Sequence, residues 1–202
     1  MSVLAGLGVS AAALEKLQLF QALVGKWNPR INLVAKSTLP DLWARHIEDS
    51  AFLCLHAPPA RLWADFGAGG GFPGLVVATV LQDRGADTRV VLVESDLRKA
   101  TFLREAARQM GLAVEIRSER VETLSPLMAD VVSARALATL DMLCTLAARH
   151  LAPGGTCLFP KGERFAEEVE SARRNWQFDL EAPENPGHKG SALLVLRNLH
   201  RA

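Results

Sequence analysis

The chain of 202 residues lacks tyrosine entirely and contains only three cysteines. Cys54, Cys144 and Cys157 lie far apart, form no Cys-x-x-Cys pair, and have no histidine at zinc-ligand spacing. This pattern excludes the common zinc sites and disulfide frameworks. We therefore expect three small buried side chains and no bound metal.

Long apolar runs are also missing. The longest apolar stretch, residues 75–81, is far shorter than the roughly 20 residues that span a bilayer. The N-terminal segment 1–14 has no lysine or arginine before its apolar residues, unlike a secretory signal. By elimination, the sequence predicts a soluble cytoplasmic protein without membrane contact.

The chain also has little excess positive charge, because its formal net charge is only +1. A free-standing nucleic-acid binder is usually more basic, since it must neutralise phosphates. Any RNA contact is therefore expected to rest on a local basic patch or on a partner already held in place. The apolar fraction of 49% is that of an ordinary globular domain with a buried core.

Residues 1–57 predict a helical extension that packs on the rest of one compact unit. Ser10 precedes apolar residues at helical spacing and is a plausible helix cap. Pro29 is expected to end this helix, because proline disfavours helical backbone at the preceding residue, Asn28. A second helix is predicted to start after Thr38 and to end at Pro58.

Residues 58–202 predict a second region, in which strands and helices alternate. Strands are expected at 61–66, 89–94, 113–117, 130–133, 156–159, 176–180 and 192–196, and helices at 75–82, 98–110, 137–150 and 163–175. A turn at 153–155 is expected to lead into the fifth strand, and a polar loop to join the last two. This order predicts an α/β fold: a seven-stranded, mostly parallel sheet with helices on both faces and an antiparallel final pair. That arrangement suits a Rossmann-like class I methyltransferase.

A glycine-rich segment from Asp65 to Gly74 lies between the first predicted strand and its helix. Glycine lets the backbone turn tightly and approach a ligand, and the following helix adds N–H groups and a positive dipole end. Asp65 is expected either to bind a cofactor's cationic amino group or to order the loop. Glu94 ends the second strand, where a carboxylate can accept hydrogen bonds from both ribose hydroxyls of an adenosine cofactor.

Two cofactor templates fit this segment. Asp-x-Gly-x-Gly-x-Gly fits residues 65–71, the form found in methyltransferases, whereas Gly-x-Gly-x-x-Gly fits Gly69, Gly71 and Gly74, the dinucleotide form. The loop alone does not decide between them. The long helical extension before the loop and the absence of a Tyr-x-x-x-Lys pair favour a methyltransferase over an NAD(P)-dependent oxidoreductase.

Other candidate residues follow the later strands at the same edge of the sheet. Val121 and Glu122 lie in the loop that this fold places beside the adenine. The alternative is that they belong to a helix start, where acidic residues are common. Arg135 is a candidate partner for a carboxylate or phosphate, or an exposed helix-start arginine. Lys161 is a candidate phosphate or RNA contact, or a solvated lysine.

His46 and Asp49 are spaced to share one helix face, either as a functional pair or as a hydrogen-bonded helix surface. Together with Arg135 and Lys161 they are candidates for positioning the reacting groups. Arg98 and Lys99 belong to a predicted helix with several cations, which is a basic RNA face or a solvated face. The RNA-contact candidates are Arg45, Arg98, Lys99, Arg120 and Lys161.

Several segments in order carry a family resemblance: Lys26-Trp27-Asn28, Asn32-Leu33, Arg45 to Ser50, Asp65 to Gly74, Ser118 to Glu122 and Ser133 to Ala136. Together they resemble the glucose-inhibited division protein B family, the small-subunit rRNA methyltransferase G enzymes. The resemblance runs from about Leu14 to the final strand. The Phe-Pro-Gly ending of the loop and the Trp-Asn…Asn-Leu segment are its most specific parts.

The resemblance implies transfer of a methyl group from S-adenosyl-L-methionine to N7 of one guanine, the 527-type position of 16S rRNA. It implies a partner, 16S rRNA within the small ribosomal subunit or its precursor. Nothing in the sequence demands more than a monomer. The cofactor-binding residues it implies are Gly67, Phe72, Glu94, Val121, Glu122 and Arg135. The glycine-rich motif adds Asp65, Gly69 and Gly71. A non-enzymatic RNA-binding or assembly module on the same fold remains the second alternative, beside the oxidoreductase.

Overall fold

The structure, a computed structural model, describes residues 2–185 and 190–202. Within them, seven strands form one sheet: β1 (Leu62–Phe66), β2 (Arg89–Val93), β3 (Val114–Arg117), β4 (Ala129–Ala134), β5 (Leu151–Lys161), β6 (Trp176–Glu181) and β7 (Ala192–Arg201). The strand order is β3-β2-β1-β4-β5-β7-β6. Strands β1 to β5 are parallel, and β7 is antiparallel to both β5 and β6. The predicted mixed sheet is confirmed.

The helices of the described residues are α1 (Val3–Gly6), α2 (Ala11–Ile31), α3 (Asp49–His56), α4 (Gly74–Asp83), α5 (Leu97–Met110), α6 (Leu140–His150) and α7 (Phe165–Ala172). Short 3-10 turns occur at Lys36–Thr38 and Val121–Thr123. A π-helical segment, Trp43–Glu48, runs directly into α3. None of these helices is long and apolar enough to cross a membrane.

Two apolar clusters cover the two faces of the sheet. Successive strand residues alternate between them, so that Leu92 belongs to one cluster and its neighbours Val91 and Val93 belong to the other. The first cluster joins α1 to α5 into one core, and the second contains α6 and α7. The three cysteines are buried in these clusters, as predicted. The carboxyl ends of the parallel strands are thereby held at one edge between the two layers.

Two predictions about helix α2 have different outcomes. Ser10 caps the helix as predicted, because its Oγ accepts a hydrogen bond from the N–H of Ala13 at 3.2 Å. The predicted end at Pro29 is wrong, since α2 continues to Ile31. Pro29 removes the hydrogen bond to the Gly25 carbonyl, but Asn28 is buried and its carbonyl accepts the Asn32 N–H at 3.0 Å, which holds the last turn in helical form. Helix α2 ends instead at Asn32, which adopts the left-handed conformation with φ 50°.

The predicted turn at 153–155 also needs correction. Strand β5 begins at Leu151 and runs through Pro153, Gly154 and Gly155, with an irregularity in its pairing to β4 between Ala129 and Val131. Proline and glycine are accommodated where the ladder is interrupted. The predicted polar loop before β7 includes residues 186–189, which lie outside the described part of the chain.

Candidate functional site

The turn between β1 and α4 owes its shape to glycines with positive φ. These angles are 64° at Gly67, 51° at Gly69 and 87° at Gly71, a region that other residues rarely adopt. The space available for a side chain differs between Gly71 and Gly69. A Cβ at Gly71 would lie 2.7 Å from Leu75 Cδ1, whereas the nearest atom to a Cβ at Gly69 is the carbonyl oxygen of Gly67, 3.5 Å away. Gly71 is therefore required by packing, and Gly69 leaves open space above the turn.

Asp65, at the end of β1, is fully buried beneath this turn. Its Oδ2 accepts the Gly74 N–H at 3.0 Å, and its Oδ1 accepts the Ser133 hydroxyl at 2.7 Å. Burial raises the pKa of Asp65 to about 7, and the two hydrogen bonds oppose this rise. These contacts join the two ends of the glycine-rich turn to β4. Two roles were expected for Asp65, and these hydrogen bonds fit the second one, ordering of the loop.

Glu94 follows β2 and bridges two backbone segments. Its Oε2 accepts the Gly69 N–H at 2.8 Å, and its Oε1 accepts the Asp96 N–H at 2.7 Å. The residue is only 7% exposed. A carboxylate has about four acceptor positions, so two remain for further donors. Glu94 is thus fixed beside the glycine-rich turn with acceptor capacity to spare.

A cleft of about 990 Å³ opens over this edge of the sheet. Its walls come from the glycine-rich turn, from the π-helical segment and α3, from the bend after β4, and from the ends of β5 and β7. The predicted site residues that line it are Arg45, His46, Asp49, Gly67, Gly69, Phe72, Lys99, Arg135 and Lys161. Residues separated by more than a hundred positions in the chain therefore meet in one cavity.

Arg135 lies in the bend after β4 and is partly buried, not an exposed residue at a helix start. Its guanidinium carbon is 5.2 Å from the centre of the Phe72 ring, and its Nη1 donates to the Arg45 carbonyl at 3.4 Å. Burial lowers the pKa of Arg135 to about 10, against the opposing attraction of Asp49 and Asp65. The guanidinium remains a cation at neutral pH, at the wall of the cleft.

His46 and Asp49 both line the cleft, at the junction of the π-helical segment with α3. The Nε2 atom of His46 lies 2.8 Å from the Thr38 hydroxyl, and its ring centre is 5.1 Å from that of Phe72. π-helical segments are rare and occur frequently at functional sites. The sequence spacing correctly indicated a shared face, but gave no sign of the π-helical backbone.

Lys161, at the end of β5, is not a solvated lysine. Its side chain is 11% exposed. The Nζ atom lies 2.7 Å from Glu168 Oε2 and donates to the Ala138 carbonyl at 2.8 Å. Sequence reasoning missed Glu168 and the carbonyl of Ala138, because neither follows a strand end in a recognisable pattern.

Val121 and Glu122 begin the 3-10 turn after β3 and do not line the cleft. Val121 is buried, and its carbonyl oxygen lies 3.0 Å from His150 Nε2. A carbonyl oxygen only accepts, so Nε2 carries the proton. Arg149 donates to the neighbouring Leu124 carbonyl at 2.8 Å. The end of α6 therefore holds this turn through backbone carbonyls, an arrangement that sequence spacing did not indicate.

Of the remaining basic candidates, Arg45 lines the cleft, whereas Arg98 and Arg120 do not. Arg45 and Arg120 are exposed, and Arg98 pairs with Asp96 at 2.9 Å. Lys99, in the next position of α5, lines the cleft. Within residues 2–185 and 190–202, no group of three or more histidine, cysteine or acidic side chains is placed to hold a metal ion.

A family model described as rRNA small subunit methyltransferase G matches residues 13–192. A protein of Cereibacter sphaeroides named ribosomal RNA small subunit methyltransferase G is 49% identical over 199 residues, covering 98% of this chain and 97% of that protein. One of the same name from Ruegeria pomeroyi is 47% identical over 195 residues, covering 96% of each.

Among solved structures, a SAM dependent methyltransferase from Aquifex aeolicus is similar with a TM-score of 0.61. The two proteins share 12% sequence identity, and the similarity covers 78% of this chain and 93% of the other. At this identity the likeness concerns the fold. It places the seven-stranded sheet among Rossmann-like methyltransferase folds.

Proposed function

The chain belongs to the rRNA small subunit methyltransferase G family, and from that premise we propose that it transfers a methyl group from S-adenosylmethionine to N7 of one guanine, the 527-type position of 16S rRNA. The observation that supports the proposal is the Glu94 carboxylate, which accepts the N–H groups of Gly69 and Asp96. Gly69 lines the cleft, whereas Glu94 lies directly behind it and does not. We assign Glu94 as the ribose acceptor because it is fixed next to a turn that exposes backbone.

The residues present fit the cofactor. Glu94 keeps two acceptor positions for the paired hydroxyls of a ribose. The open space above Gly69 is a cradle that a side chain would fill. Arg135 supplies a cation at the cleft wall for a carboxylate, and Val121 and Glu122 stand at the turn expected beside the adenine. Asp65 contributes indirectly, by ordering the loop.

When bound, S-adenosylmethionine supplies a methyl group that its positively charged sulfur makes electrophilic. Guanine N7 carries a lone pair and no proton, so no general base has to act before attack. The side chains of this protein are thus needed to align the base, to neutralise the cofactor's carboxylate and to exclude water. Alignment of this kind can lower a barrier by several kcal/mol.

The target guanine has to leave its stack to enter the cleft. An arginine that donated to N7 would occupy the attacking lone pair, so Arg135 is assigned to the cofactor's carboxylate or to an RNA phosphate. Arg45, Arg98, Lys99 and Arg120 are the proposed contacts to phosphates. A net charge of +1 suits a substrate presented by the small subunit or its precursor, where other components help to hold the RNA.

Mass mapping of 16S rRNA from strains with and without the gene tests this proposal. We expect one 7-methylguanosine to be absent from the deletion strain and restored by the wild-type gene. An unchanged methylation pattern would favour the non-enzymatic assembly module. A calorimetric titration addresses the other alternative, because binding of NADH without binding of S-adenosylmethionine would indicate an oxidoreductase.

A further inference from the structure

The bend formed by residues 135–139 joins β4 to α6 and forms one wall of the cleft. It carries Arg135, and its Leu137 side chain packs directly on the glycine-rich turn. A Cβ added at Gly67 would lie 2.7 Å from Leu137 Cδ1, so the bend and the turn are in close contact. A displacement of the bend would therefore move both the cation at the cleft wall and the turn beneath the cleft.

Lys161 and Glu168 hold this bend through its backbone. The Lys161 Nζ atom donates to the Ala138 carbonyl, inside the bend, and to Glu168 Oε2. The same Glu168 oxygen accepts the N–H of Leu140, the first residue of α6, at 2.8 Å. One ion pair thus fixes the middle and the end of the bend. We call this ion pair, Lys161 with Glu168, the latch.

The latch differs from the other ion pairs of the described residues in its burial. Lys161 is 11% exposed, whereas the cations of the other pairs are at least 40% exposed. Partly buried pairs are screened less by salt and by water than exposed pairs. Removing the Lys161 amine would leave the Ala138 carbonyl and the Glu168 carboxylate short of a donor, which is costly for groups of low exposure.

We propose that Lys161 and Glu168 are positioning residues for methyl transfer, acting through the bend and not through contact with RNA. This inference rests on the proposed function. The Lys161 ammonium uses two of its three N–H donors on the Ala138 carbonyl and the Glu168 carboxylate, and the paired carboxylate offsets the positive charge that would attract a phosphate. The latch instead fixes the wall of the cleft against which the base and the cofactor's carboxylate are aligned.

The test compares K161M, K161R, E168Q and E167Q in methyl transfer to small subunits over a range of salt concentrations. We expect K161M to lower kcat by about tenfold to a hundredfold, as for a misaligned site. The dependence of log kcat/KM on log salt should keep its wild-type slope. K161R should retain most of the activity, because it keeps the charge and the donors. E168Q should show a smaller loss, because its amide oxygen still accepts the Leu140 N–H.

The matched control is Glu167, the neighbour of Glu168 on α7. It forms an exposed ion pair with Arg164 and does not line the cleft, so E167Q should behave like the wild type. A lost phosphate contact has a different signature, because it reduces the salt slope by about one. A reduced slope in K161M, or an unchanged kcat, would overturn the proposal.

Amide hydrogen exchange of residues 135–140 gives a second readout that needs neither cofactor nor RNA. K161M should speed exchange in this segment by roughly tenfold and E168Q by less, while E167Q should not change it. Unchanged exchange in both latch variants would contradict the inference even if activity fell. If the wild type transferred no methyl group, the proposed function would fail, and exchange would still decide whether the latch holds the bend. If K161M did not fold, the comparison of E168Q with E167Q would decide both questions.

Discussion

The Glu94 carboxylate accepts the backbone N–H of Gly69 at 2.8 Å and thereby ties the end of β2 to the turn that follows β1. A second hydrogen bond, from the Asp96 N–H at 2.7 Å, fixes the other carboxylate oxygen. Because both oxygens are held by rigid backbone, the remaining acceptor positions have fixed directions. This relationship fixes Glu94 at the edge of the sheet, where we propose that it binds the cofactor's ribose.

Replacement of Glu94 by glutamine should weaken S-adenosylmethionine binding by about tenfold to a hundredfold. The amide keeps one acceptor oxygen and presents an N–H₂ group to a backbone donor, and hydrogen bonds to charged groups contribute about 1.5–3 kcal/mol. Isothermal titration calorimetry measures the affinity. Glu115 on β3 is a suitable control, because it pairs with Arg89 at the surface, and E115Q should bind as the wild type does. Equal affinities for E94Q and the wild type would remove Glu94 from the site.

Alanine at Gly69 should mainly weaken cofactor binding, whereas alanine at Gly71 should mainly destabilise the fold. G69A meets open space, so its φ of 51° should cost only about 1 kcal/mol of folding free energy, while its methyl group obstructs the cofactor. G71A would clash with the buried Leu75 and Phe20 side chains and should cost about 2 kcal/mol or more. Denaturant titration and calorimetry together separate the two effects. A G69A protein with normal affinity would argue against a cofactor above the turn.

Asp65 should make the free energy of unfolding depend on pH. Burial raises its pKa from 3.8 to about 7 in the folded protein, so between these values the folded state keeps a proton that the unfolded chain releases. The contribution to stability is full below about pH 4 and is lost as pH rises to about 7, by up to about 4 kcal/mol. D65N cannot ionise and should lack this fall. Parallel stability curves for D65N and the wild type from pH 4 to 8 would contradict the assignment.

Arg135 should recognise the amino-acid end of the cofactor. In R135K the planar guanidinium beside Phe72 is lost, and we expect affinity for S-adenosylhomocysteine to fall about tenfold. Methylthioadenosine has the same nucleoside but no carboxylate, and its affinity should not change. An equal loss for both ligands would indicate a general disturbance of the cleft. Unchanged binding of both, with a raised KM for the small subunit, would assign Arg135 to an RNA phosphate.

The elements that the sequence predicted well are those that local chemistry determines. Gly111 ends α5 in the left-handed conformation, and Ser10 caps α2, as their positions in the sequence indicate. The apolar run at β2 predicted a strand buried on both faces, which Leu92 and its neighbours confirm. The glycine-rich turn followed from the same local rules.

The features that sequence reasoning missed depend on long-range contacts. The partner of Lys161 lies on a different element, and its second acceptor is a backbone carbonyl in a bend without regular structure. The donor from His150 to the Val121 carbonyl spans 29 positions. The proline rule that predicts a helix end at Pro29 describes an isolated helix, whereas α2 is packed against α4 and α5. Rules based on local sequence spacing cannot predict such long-range contacts.

One reaction with purified components detects methyl transfer to N7. Small subunits from a strain lacking the gene are incubated with the protein and S-adenosylmethionine, and their 16S rRNA is then treated with borohydride and aniline, which cleave at 7-methylguanosine. Transfer to N7 predicts a single new cleavage, at the 527-type guanine, that requires both the protein and the cofactor. Methyl incorporation without cleavage, or cleavage at another guanine, would contradict it.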